Sequence, residues 1–105
     1  MSLPQLVRDT SGAAVQALLP DTTVTIATSG SSQSVAMPSN TLLSRLAANV
    51  DVFVAFGNSG VTATTSSMLF PSGAEVFNVQ KTGWTHVAVL NAGVTSGVFT
   101  LTKIV

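Results

Sequence analysis

Four carboxylates, one imidazole and one indole are the side chains in this 105-residue chain with the most obvious chemistry. Acid–base hydrolysis needs two carboxylates held close together with shifted affinities for protons. Asp9, Asp21, Asp51 and Glu75 are instead spread along the chain at turn or strand-edge positions. A short carboxylate at such a place bonds nearby backbone N–H groups, so Asp9 and Asp21 read as turn formers. His86 is the one imidazole, set between Thr85 and Val87 in an alternating stretch. A nucleophilic triad needs a histidine beside a serine and an acid, and serine is too abundant here for such a match to mean much. The glycine-rich turns Gly30-Ser31-Ser32 and Gly57-Asn58-Ser59-Gly60 carry neither a nucleophile elbow nor the Lys-Ser/Thr ending of a phosphate loop. With no cysteine and one histidine, no ligand cluster for a metal is spelled out. The catalytic, cofactor and metal sets are therefore expected to be empty. Trp84 is left as an end plug of the fold, an interface anchor or a sugar platform.

The elements that must position these residues are short strands. Valine supplies about one residue in seven, and Val, Thr, Ile and Phe suit a pleated, half-buried surface. They fall in runs bounded by Gly, Ser, Asn and Pro: 22–28, 34–37, 51–56, 67–70, 74–79, 84–90 and 97–104. Near the start, 6–8 and 14–16 flank the turn sequence Asp9-Thr10-Ser11-Gly12, which predicts a hairpin or a paired arm within residues 1–16. Residues 40–50 fit two patterns. Leu42, Leu43, Leu46, Ala47 and Val50 have helical spacing behind a Ser39-Asn40 cap, while the same stretch also alternates as a strand would. Some eight or nine strands at spacings of about 8–12 residues predict one all-β domain over 1–105, an antiparallel β-sandwich.

Charge narrows the partners. Only 8% of residues are charged, against roughly 25% in an ordinary domain. Arg8, Arg45, Lys81 and Lys103 are scattered and balanced by the four acids. Nucleic-acid binding, which draws on clustered cations, is not expected. The most apolar stretch, 46–56, is interrupted by Asn49 and Asp51 and is too short to span a membrane. No targeting segment is visible, so a soluble protein that stays where it is made is expected. Serine and threonine supply about a quarter of the chain and most of its polarity.

Two strands are apolar on both faces. Phe53 and Ala55 oppose Val52, Val54 and Phe56, and Trp84, Ala88 and Leu90 oppose Val87 and Val89. A sandwich strand needs only one buried face. Either these are central strands under loops, or the second face meets another chain.

From about Leu18 onward, the sequence resembles a group of small virion proteins of tailed bacteriophages. The resemblance is carried by Thr22-Thr23-Val24-Thr25-Ile26, by the stretches 45–57 and 64–73, by Thr85-His86-Val87-Ala88-Val89-Leu90, and by the closing residues 96–102. These proteins are similar to the jelly-roll cement or decoration proteins that bind the outside of an icosahedral head and clamp neighbouring capsid subunits. The resemblance implies a jelly-roll-like sandwich in which 45–57 is two successive strands. It also implies the major capsid protein as partner, self-association as a dimer or trimer on the capsid, a place on the virion exterior, and no cofactor. It carries no catalytic residue over. Residues 1–8 match it least, and an arm there, with Leu3, Leu6 and Arg8, is expected to reach a neighbour. Phe53 and Trp84 complete the expected contact set.

Overall fold

In the computed structural model, residues 19–105 are described in full, together with the strand backbones 6–8 and 14–16. The strands are β1 (Leu6–Arg8), β2 (Ala14–Gln16), β3 (Pro20–Ala27), β4 (Gln33–Ala36), β5 (Leu43–Ala48), β6 (Val52–Gly57), β7 (Met68–Phe70), β8 (Gly73–Asn78), β9 (His86–Asn91) and β10 (Val98–Ile104). β1 and β2 pair antiparallel in a two-stranded sheet of their own. The other eight make two four-stranded antiparallel sheets, β3-β10-β5-β8 and β4-β9-β6-β7.

The pairing is nested. β6 pairs with β7, β5 with β8, β4 with β9 and β3 with β10, so the eight strands form a long hairpin folded at residues 58–67. Successive pairs fall in alternate sheets, which rolls that hairpin into a two-sheet sandwich. This is the jelly-roll arrangement. Residues 43–48 are a strand, not a helix, with β10 on one side and β8 on the other.

The core lies between the sheets and comes from alternate residues of each strand. Ile26, Leu46, Phe99 and Leu101 from the first sheet meet Val52, Val54, Phe70, Val87 and Val89 from the second. Burying each such side chain is worth roughly 1.5–3 kcal/mol. Three rings tie the sheets together: Phe70 of β7 lies edge-on to Phe99 of β10 at 6.3 Å and is tilted against Phe77 of β8 at 6.2 Å. The loops are held by carboxylate, amide and hydroxyl side chains. Asp51 Oδ1 accepts the Ser72 N–H at 2.8 Å, and Asn49 Oδ1 accepts the Val98 N–H at 2.8 Å. Asn40 has φ 59°, a left-handed conformation that asparagine tolerates better than most residues.

Candidate functional site

The acids do not converge. Asp21 opens β3, Asp51 is engaged by the Ser72 amide in the loop before β6, and Glu75 lies on the edge strand β8. Among the described residues, no three of His, Cys, Asp and Glu come together. Asp9 lies outside the described residues. His86 starts β9, with Nδ1 2.8 Å from the Thr85 hydroxyl. Lys103 donates from Nζ to the Ser39 carbonyl at 2.7 Å, and Arg45 is exposed on the outward side of β5.

Trp84 sits at one end of the sandwich, though not in a strand. β9 begins two residues later than the alternation suggests, because Gly83 (φ 89°) turns the chain and Trp84 donates its N–H to the Lys81 carbonyl at 3.0 Å. The indole stacks on Phe56, whose ring is partly buried and packs against the core, at 4.9 Å and 16° between planes. Lys81 Nζ stands 5.4 Å from the indole centroid, within cation–π range. Beside Trp84 opens a cleft of about 550 Å³, with Asn40, Gln80, Thr85 and His86 among its lining residues.

The outward face of the second sheet is the other candidate. Strand register puts Leu69, Phe53 and Leu90 in one row across β7, β6 and β9. Leu69 is 53% exposed, and Phe53 and Leu90 are half-buried. Farther along, the same face is covered by the chain itself. The 58–67 segment leaves β6 with Val61 packed where a side chain on Gly57 would point. It then crosses towards β4, where the Ala63 N–H donates to Ser32 Oγ at 2.9 Å. Ala88, outward on β9, is fully buried, and Ala63 is nearly so. The doubly apolar strands β6 and β9 are thus central strands, and a loop covers one part of their outer face. The row at Leu69 is its open part.

Of the expected contact residues, Phe53 and Trp84 lie in different places, on a sheet face and at a sandwich end. Leu3 lies outside the described residues. Leu6 and Arg8 belong to β1, known by its backbone pairing with Gln16 and Ala14. Sequence reasoning named Leu90 on the second apolar face of its strand but did not single out Leu69. Both stood in predicted strands, but only register reveals them as neighbours of Phe53.

No protein-family model matches this chain, and comparison with curated proteins and solved structures finds no match either. Among the described residues, no helix is long and apolar enough to cross a membrane.

Proposed function

We propose that this chain is a structural protein of a bacteriophage virion, a cement or decoration protein that binds the head exterior and clamps neighbouring copies of the major capsid protein. The observation that carries the reading is the open apolar row Leu69–Phe53–Leu90 on the outer face of a jelly roll with few charges. Interface cores are depleted of charge and enriched in aromatic residues, which fits such a row. Fold alone assigns no function. The capsid as partner comes from the resemblance of the strand-and-turn sequences, and an arm bearing Leu3, Leu6 and Arg8 belongs to the same proposal.

The mechanism is mass action. A module that binds only assembled capsid stabilises that state according to its concentration and affinity. Repeated sites on a symmetric shell, and association between copies, multiply a weak contact through avidity. A contact made by apolar groups and hydroxyls depends little on salt.

Leu69→Asp is expected to weaken binding to purified heads roughly tenfold to a hundredfold, because docking would bury an unpaired charge. Its far-UV circular dichroism should stay unchanged, since Leu69 is exposed in the free protein. Co-sedimentation with heads measures the first, and heating the heads with and without the protein measures the consequence. Heads equally heat-resistant in both cases would remove the reading.

A second reading, a neck, tail or fibre component that binds glycans, is favoured by the Trp84 cleft and its amide and hydroxyl lining. Under it, Trp84→Ala abolishes adsorption to host-surface glycans and leaves head binding untouched. If the indole serves as an end plug stacked on Phe56, the same variant instead lowers thermal stability without changing adsorption.

A further inference from the structure

Four strands form the edges of the two sheets: β3 and β8 in one, β4 and β7 in the other. An edge offers unpaired backbone groups to any other strand, and proteins block it with short strands, proline or an inward-pointing charge. Three of these edges carry such a device. β7 has three residues and ends at Pro71, and β4 has four and is closely followed by Pro38. β8 holds the exposed Glu75 on its core-facing side, opposite Leu46. β3 differs. It is eight residues long, and after Pro20 and Asp21 it runs from Thr22 to Ala27 without charge, proline or glycine.

Register decides which backbone groups of β3 face outward. Thr28 donates to the Gly97 carbonyl at 2.9 Å, in the same register that pairs Ile26 with Phe99 and Val24 with Leu101. Bonding pairs alternate along an antiparallel ladder. Val24 and Ile26 therefore bond β10, while Thr23, Thr25 and Ala27 turn their N–H and C=O groups to the edge, where no strand pairs with them among the described residues. That set is symmetric about Thr25.

We propose that β3 joins a second copy of this chain through the same strand, antiparallel, on a two-fold axis at Thr25. Thr25 pairs with Thr25 of the second copy, and Thr23 with its Ala27, giving about six backbone hydrogen bonds and one continuous sheet across the dimer. Asp21 falls opposite Ser29 of the second copy, so like charges do not meet. The alternating Thr and Ala side chains stay on the outer face. This deepens the proposed self-association but needs no capsid, so its failure and that of the virion reading are separable.

Sedimentation velocity of the full chain from micromolar to millimolar concentration tests it. A monomer–dimer equilibrium is expected. Thr25→Pro, tolerated where a strand N–H points outward, removes the donor at the axis and should raise the dimer Kd roughly 30-fold or more. Should that variant unfold, Thr25→Lys brings two like charges together at the axis and should weaken the dimer in a salt-dependent way. In the wild-type chain, the amides of Thr23, Thr25 and Ala27 should gain protection from hydrogen exchange as concentration rises. A chain monomeric at every concentration, a dimer unaffected by either folded variant, or edge amides already protected in a monomer by another segment of the chain would each overturn the proposal.

Discussion

Phe99→Ala should lower the unfolding free energy by about 3–5 kcal/mol, a large share of the roughly 5–15 kcal/mol that holds a domain of this kind together. Phe99 is fully buried on β10, paired on one side with Ile26 and on the other with Ala48. Its ring meets Phe70 edge-on across the sandwich, and Phe70 in turn meets Phe77. Truncation removes the buried area, leaves a cavity the rigid sheets cannot close, and ends the aromatic contact between sheets. Urea unfolding followed by tryptophan fluorescence measures it, and the melting temperature should fall by about 15 °C or more. Phe53→Ala is the matched control. On the outer face, with the same volume removed, it should cost less than half as much and keep the fold.

Gly97→Ala is the second large effect, expected at about 2–4 kcal/mol. Backbone freedom is not the reason, since Gly97 is not among the residues with left-handed φ. The cause is space. A methyl group there would collide with Asn49 Oδ1 and approach both Val50 methyls to 2.9 Å. Asn49 Oδ1 cannot yield freely, because it accepts the Val98 N–H. Gly97 itself donates to Thr28 Oγ1 at 2.7 Å, so its backbone is held as well. The variant must break one of these hydrogen bonds or displace the start of β10. Gly93→Ala, with nothing within 4 Å of the added atom, should change stability by no more than about 0.5 kcal/mol. Equal effects at the two positions in urea titrations would contradict this account.

Much of the local structure was legible. The alternation of Val24 and Ile26, and of Val52, Val54 and Phe56, reports a half-buried strand through nearest-neighbour spacing alone, and those strands form where expected. Residues 40–50 were not legible, for a physical reason. β5 is a central strand with side chains on both faces, and Ser44 takes a core position where its Oγ has no hydrogen-bond partner among the described residues. Alternation is blurred there, and a helical pattern competes. The partner strands β8 and β10 decide the outcome. Trp84 was misplaced into β9 because the alternation says nothing of Gly83 and its turn.

The candidate surfaces were less legible than the strands. Phe53 stood out as one apolar residue too many, but its neighbours Leu69 and Leu90 lie on other strands, far away along the chain. The 58–67 segment, with Val61 against Gly57 and Ala63 bonded to Ser32, was equally silent, because its residues read as an ordinary polar turn.

The sequence by itself determined the strand content, the uncharged surface and the turn chemistry. These depend on residue type and on neighbours one or two places away. Tertiary structure alone decided that the first and last sandwich strands pair, which faces are open, and where Thr23, Thr25 and Ala27 point. Backbone hydrogen bonding is the same for every residue with a free N–H. Partner and register are therefore chosen by the packing of whole sheets, which no local pattern encodes.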